Sequence, residues 1–297
     1  MAYAKIIDID DPGYFRLKSI DQSQLKQFLK NPADWAYHRL NDDHKPTDAM
    51  KFGTAFHAYL LGTSDVVSLP EGESFRSKDN QKWRADQLEA GNIIVSYNDM
   101  QLLKRMKEGI EQTSLMPEYP DYMEIIEQGT KEQCIEWKDR QTGLMLKAKP
   151  DLIPAGTDYL VDLKTAQKAD AESFAKEVIN YGYHIQTVFY RAAVAACKPD
   201  AFDRGSKAPS TMQFWVFEKT DACDWQPFSI SDDNPITNLA ATSIRQALLG
   251  IALMVKKAKE EGYAENTPDP VTPPRSMRSD MVSTRRSRRF RSRTGSC

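Results

Sequence analysis

The chain has 297 residues, of which 40% are hydrophobic and 28% charged, ordinary globular usage that excludes a collagen-like, wholly disordered or membrane-embedded protein. Its net charge is −2, and its four cysteines (Cys134, Cys197, Cys223, Cys297) show no CxxC spacing, so free thiols in a reducing cytoplasm are expected, without a zinc or iron–sulfur site. The longest apolar run, 247–255, is far short of the ~20 residues that span a bilayer, and the first residues lack the apolar region of a secretory signal.

In chain order, the first predicted helix opens at Asp21 as N-cap. Gln24 sits where a capping box would place it, Ile20 and Leu25 at the staple positions, and Pro32 as the stop. A second helix is predicted over 51–61, with Phe52, Phe56, Tyr59 and Leu60 as its apolar stripe and Gly62 as its C-cap. Residues 79–114 read as polar and rich in helix, with Leu103 and Ile110 as candidate core positions. Strands are expected at 132–138, 144–151 and 159–164, the first two joined by a Thr142-Gly143 turn and the last two by Ala155-Gly156-Thr157. Two helices follow, 171–179 and 184–196, split by Asn180-Tyr181-Gly182. Strands at 211–218 and near 226–230 precede a long helix from Pro235 to about 261, capped by Asn234. The order predicts an α/β (α+β) domain over 1–265, with a central mixed sheet flanked by helices.

Beyond that domain the charge changes sign. Residues 275–297 hold eight arginines and one acid, a net +7; subtracting them from 40 bases and 42 acids leaves 32 and 41, a net −9 for the rest. Prolines at 268, 270, 273 and 274 mark 266–274 as a linker that cannot be helical. The tail has too few apolar residues to fold alone. It reads either as a nucleic-acid arm, with Arg285, Arg286, Arg288 and Arg289 as candidate phosphate contacts, or as a solvated terminus.

The chemistry concentrates in the central strands. Alternation along 159–164 puts Leu160, Asp162 and Lys164 on one face and Tyr159, Val161 and Leu163 on the other. An aspartate and a lysine ending an apolar strand are costly to bury unless they pair or hold a metal. Asp151, at the end of the preceding strand, is placed to approach Asp162. Two close carboxylates repel unless a cation lies between them, and oxygen ligands at an open site suit Mg²⁺ or Mn²⁺. A structural Asp–Lys ion pair on an edge strand is the alternative. His57 lies one turn after Gly53, at the border of its helix's stripe, and Gln186 and Tyr190 are spaced i, i+4. Alone, the first reads equally as a core or surface histidine and the second as a solvated face.

Together these residues match a pattern. Pro150-Asp151, ten residues, then Asp162-Leu163-Lys164 resembles the PD-(D/E)xK nuclease signature. With Gly53-x-x-x-His57 before it and Gln186-x-x-x-Tyr190 after it, the set resembles the RecB-type branch of that superfamily. Ser23-Gln-Leu-Lys-Gln-Phe-Leu-Lys-Asn-Pro32 and Phe52-Gly-Thr-Ala-Phe-His57 are similar to motifs of the phage and prophage exonuclease VIII (RecE-like) group. The resemblance covers roughly 18–265, not the tail.

The resemblance implies a restriction-endonuclease-like core. It implies Asp151, Asp162 and the Leu163 carbonyl as metal ligands, with His57 as a further one. Lys164 would position the attacking water, and Gln186 and Tyr190 would hold the substrate strand or the site's geometry. It also implies a Mg²⁺- or Mn²⁺-dependent exonuclease that degrades one strand of linear duplex DNA 5′→3′. The 3′ overhangs would pass to a single-strand annealing (RecT-like) protein during recombination. A ring or other homo-oligomer in the cytoplasm of a bacterium or phage-infected host is the implied setting. AddB-like nucleases with clustered cysteines are disfavoured by the cysteine spacing. A repair endonuclease on the same core, and a non-catalytic DNA-binding protein with a vestigial site, stay as alternatives.

Overall fold

The structure is a computed structural model and describes residues 4–41, 46–197, 201–202, 205 and 207–260. The expected domain end at 265, the linker 266–274, and the tail with Arg285, Arg286, Arg288, Arg289 and Cys297 lie outside the described residues.

The chain begins with β1 (Ala4–Ile7), α1 (Asp11–Arg16), α2 (Gln22–Lys30), α3 (Pro32–Asn41) and α4 (Asp48–Leu61). Asp21 caps α2 through a 2.9 Å bond from the Gln24 amide. Gln24 does not close a capping box, because its side-chain oxygen instead accepts from Arg39 Nη1 at 2.7 Å. Pro32 stops α2 and also starts α3, where its missing N–H costs nothing. Helix α4 starts three residues earlier than predicted, because Thr47 caps the Met50 amide, and it ends at Gly62 in the left-handed conformation, φ 67°.

The middle of the chain holds β2 (Val66–Ser68), α5 (Lys78–Glu89), β3 (Ile93–Val95), α6 (Tyr97–Ser114) and α7 (Tyr122–Gln128). Strands β2 and β3 form a small parallel pair absent from the sequence expectation. Then come β4 (Thr130–Lys131), β5 (Cys134–Lys138), β6 (Met145–Ala148), β7 (Leu152–Ile153), β8 (Tyr159–Ala166), α8 (Ala171–Asn180), α9 (Tyr183–Ala196), β9 (Thr211–Glu218), β10 (Trp225–Ser231) and α10 (Pro235–Glu260).

The expected three-strand meander is broken at one level. The predicted strand 144–151 stops at Ala148 and resumes as β7, and its partner divides into β4 and β5. Pro150 offers no ladder N–H, and Glu132 opposite adopts φ 47°. The hairpin therefore bends, held by the Glu132 amide donating to the Asp151 carbonyl at 2.9 Å. Its far half belongs to a three-stranded sheet ordered β1-β5-β6, its near half to a five-stranded sheet ordered β10-β9-β8-β7-β4. In the larger sheet β8 and β9 are parallel and the other neighbours antiparallel. The parallel pair needs a long crossover, and α8 and α9 supply it.

The five-stranded sheet has two apolar faces. Leu160, Met212, Phe214 and Val216 join one core with α2, α8, α9 and α10; Val161, Leu163, Trp215 and Phe217 join another with α4, α6 and α7. Strand β8 thus has no solvated side, and charge on it must find a protein partner. Helix α10 is longer in apolar character than its nine-residue run implied. Pro235–Lys257, mean hydropathy 1.3, is long and apolar enough to cross a membrane by length and composition. Here its Ala240, Ile244, Ala247, Leu248 and Ile251 are buried in the first core.

Helix α10 crosses α2 at Gly250, where a Cβ would lie 2.8 Å from the Phe28 ring. Gly250→Ala gains about 1 kcal/mol of helix propensity, but overpacking costs about 1–3 kcal/mol. A lower urea midpoint is expected, restored in part by Phe28→Leu in the double variant; a Gly250→Ala midpoint above wild type would contradict this close approach.

Candidate active site

Asp162 lies mid-way along β8, on the face that carries Leu160 and Lys164, and is 1% exposed. Opposite it stands α9, whose Gln186 donates its side-chain amide to Asp162 Oδ1. The Lys164 ammonium is set against Asp162 Oδ2 as an ion pair. That oxygen is buried and accepts no hydrogen bond of regular geometry. Lys164 is itself positioned by an aromatic ring: its Nζ is 5.0 Å from the centroid of Tyr183, at the start of α9. Cation and ring attract through the ring's quadrupole. Tyr183 escaped the sequence reading, although it lies on the same helical stripe three residues before Gln186.

Asp151 reaches the site because it sits in the bend rather than in a strand. Its Oδ2 accepts from the Leu163 amide at 2.8 Å, which ties the bend to β8. Its Oδ1 lies 3.5 Å from His57 Nδ1, and His57 Nε2 lies 2.9 Å from the Leu163 carbonyl oxygen. Helix α4 therefore delivers His57 onto Leu163, with each ring nitrogen on a different acceptor, so protonation lets both donate.

The two carboxylates are pushed in opposite directions. Burial raises the Asp162 pKa to about 6; Lys164 opposes the shift and the Asp151 charge reinforces it. Burial acts on Asp151 too, but His57, Lys164 and the Leu163 amide overcome it and hold its pKa below 3.8. For His57, burial disfavours the cation, yet Asp151 wins and the pKa lies above 6.5. The two carboxyls are thus shifted apart by their surroundings, a pattern common at working sites.

Tyr190 is buried one turn beyond Gln186. Burial raises its hydroxyl pKa, and Asp162 and Asp151 add to that. Its hydroxyl lies beside Gln22, and the i, i+4 pair is buried rather than a solvated face.

Asp151, Asp162 and the Leu163 carbonyl make an all-oxygen donor set of the kind hard divalent cations take. Asp162 Oδ2, buried and met among the described residues by the Lys164 ammonium alone, is the oxygen such an ion would share with Lys164. Among the described residues no group of three or more His, Cys, Asp or Glu is arranged to hold a metal; His57 is turned onto the Leu163 carbonyl instead. The described cysteines, Cys134, Cys197 and Cys223, are free thiols.

This assembly, with two aspartates and a lysine around a bent hairpin and a parallel strand, is the layout of a PD-(D/E)xK-type core. The chain belongs to the family described as a PDDEXK-like domain of unknown function (DUF3799), which matches residues 21–267. No curated protein matches it. Among solved structures, a protein of Eubacterium rectale designated a candidate exonuclease shares the fold, with 16% identity, 98% of this chain and 96% of that chain covered, and a TM-score of 0.53. An alkaline exonuclease of Laribacter hongkongensis matches at 16% identity, covering 71% of this chain and 97% of that one, TM-score 0.29. A phage related exonuclease of Haemophilus somnus matches at 10% identity, covering 80% and 96%, TM-score 0.34.

The raised Asp162 pKa sets a sign for stability without metal. Its contribution is fully present below the ordinary value of 3.8 and is lost as pH rises through about 6. In chelator, Asp162→Asn should therefore gain on wild type in unfolding midpoint as pH rises from 4 to 7. Parallel pH profiles for the two proteins would mean that Asp162 titrates normally.

Proposed function

We propose that the chain is a divalent-metal-dependent deoxyribonuclease, acting as an exonuclease on the ends of linear duplex DNA. The observation that carries this reading is the junction of β8 with the hairpin bend. There, the buried Asp162 and Asp151 carboxylates converge with the Lys164 ammonium that is paired to Asp162. Asp151, Asp162 and the Leu163 carbonyl would hold Mg²⁺ or Mn²⁺, with His57 as a further ligand once its ring leaves the carbonyl. Bound there, the metal supplies Lewis acidity toward the scissile phosphate and a lowered pKa for an attacking water.

The side chains divide the remaining work. Lys164, held by Asp162 and the Tyr183 ring, orients the attacking water or meets charge that develops on the phosphate. Gln186 fixes the Asp162 carboxylate through Oδ1, so that Oδ2 faces Lys164. Tyr190 holds that part of α9 in place from behind.

Polarity and biological role rest on the RecE-like motifs. They favour 5′→3′ degradation of one strand, leaving 3′ overhangs for a RecT-like single-strand annealing protein in recombination. A homo-oligomer encircling the duplex would make that degradation processive. Arg285, Arg286, Arg288 and Arg289 would add sequence-independent phosphate affinity. A bacterial or phage-infected cytoplasm is the matching location.

End-labelled linear, nicked and circular duplexes with Mg²⁺ test the reading. Linear DNA should be shortened from its 5′ ends and circular DNA spared, with all cleavage lost in chelator. Cutting of covalently closed circles would favour the endonuclease alternative.

Two substitutions test the roles. Asp162→Ala should abolish turnover in a folded protein. Lys164→Ala should lower kcat by about 10²–10³-fold, the scale of losing one preorganised charge-stabilising group, with little change in DNA affinity. A Lys164→Ala enzyme with normal kcat and weak binding would move Lys164 from chemistry to affinity.

A further inference from the structure

The α8–α9 turn and α2 border an open groove of about 810 Å³ that none of the roles above uses. Lys26, Lys30 and Tyr181 line it. Lys26 and Lys30 are one turn apart on α2 and face the groove together. Tyr181 is 59% exposed, a large aromatic surface left in solvent.

A chain of contacts joins this groove to the carboxylates. The Tyr181 and Tyr183 ring centroids are 5.8 Å apart, and Tyr183 carries the Lys164 ammonium. Lys26 Nζ donates to the Tyr181 carbonyl oxygen at 2.9 Å, which leaves two of its three N–H groups for another acceptor. Its stem is clamped as well. Gly182 has φ 67° and lies so close that a Cβ there would fall 2.6 Å from Lys26 Cδ. Lys26, half-buried and preorganised, thus keeps N–H groups for an acceptor in the groove that it lines.

We propose that Tyr181, Lys26 and Lys30 form a subsite for single-stranded DNA next to the metal-binding carboxylates, with a base stacked on Tyr181 and backbone phosphates on the two lysines. Exposed aromatics interleaved with cations are the means by which proteins hold single strands irrespective of sequence. The charges agree with an anionic ligand. Burial, with the nearby Lys164 charge, lowers the Lys26 pKa to about 8, and a phosphate on Lys26 would offset that repulsion. The choice of DNA as ligand rests on the nuclease reading; the geometry of the subsite does not.

The test is fluorescence anisotropy of a labelled twelve-residue oligothymidylate, with Ca²⁺ in place of Mg²⁺ so that nothing is cut. Tyr181→Ala should weaken binding at least about fivefold, the lower end of what a lost base–aromatic stack costs, and Tyr181→Phe should stay within about twofold of wild type. Lys26→Met should flatten the plot of log affinity against log salt by about 0.7 for its lost phosphate contact. Wild-type affinity in a Tyr181→Ala protein of unchanged melting temperature overturns the subsite, as does absence of oligonucleotide binding by wild type. Cleavage of linear duplex in Mg²⁺ is scored separately. A protein that binds through Tyr181 yet cuts nothing refutes the nuclease and leaves the subsite; one that cuts but binds equally well as Tyr181→Ala refutes the subsite alone.

Discussion

A carboxylate in the middle of a sheet buried on both faces is the constraint from which much of this molecule follows. Removing an ion from water costs several kcal/mol unless partners replace the water. Asp162 is supplied with an amide on one oxygen and an ammonium on the other. Each partner then needs support: Gln186 requires α9 to lie across β8, and Lys164 requires the Tyr183 ring. The crossover that the parallel β8–β9 pair demands brings that helix. Topology and charge therefore call for the same element.

Asp151 comes by another route. A hairpin that ran straight through 144–151 would keep Asp151 in the plane of its sheet. The bend at Pro150, opposite Glu132, turns the strand's polar end inward until its carboxylate meets the Leu163 amide. Burial raises the Asp162 pKa, whereas His57, Lys164 and the Leu163 amide lower that of Asp151, so one residue type takes two characters from its neighbours.

Sequence periodicity made the faces of β8, the N-cap of α2, the Gly62 C-cap of α4, and both crossover helices legible, because each depends on local spacing. Asp151, Asp162, Lys164 and His57 were legible as a motif, and they do meet in space. Less could be read where distant segments decide. The split of the hairpin between two sheets depends on Glu132 adopting φ 47°, and no propensity rule assigns that to glutamate. The Gln24 capping box failed because Arg39, fifteen residues on, took its oxygen. Short strands such as β1–β4 carry too little pattern to separate from loops. Tyr183 was concealed by its apolar character, which reads as core until its ring is seen under an ammonium.

The three-stranded sheet has a consequence for how the chain assembles. Its edge strand β1 begins at Ala4, but its partner, Trp137 of β5, lies 133 residues later. The same is true of Lys147, which is 1% exposed and donates to the carbonyls of Tyr14 and Leu17 at 2.9 and 3.0 Å. Until β5 and β6 are in place, residues 4–17 therefore lack these partners. Contacts this distant in sequence slow folding, and a waiting strand is a template for aggregation. The charge of Lys5 within β1 protects such an edge. The segment 4–17 is thus docked only once β5 and β6 exist to receive it.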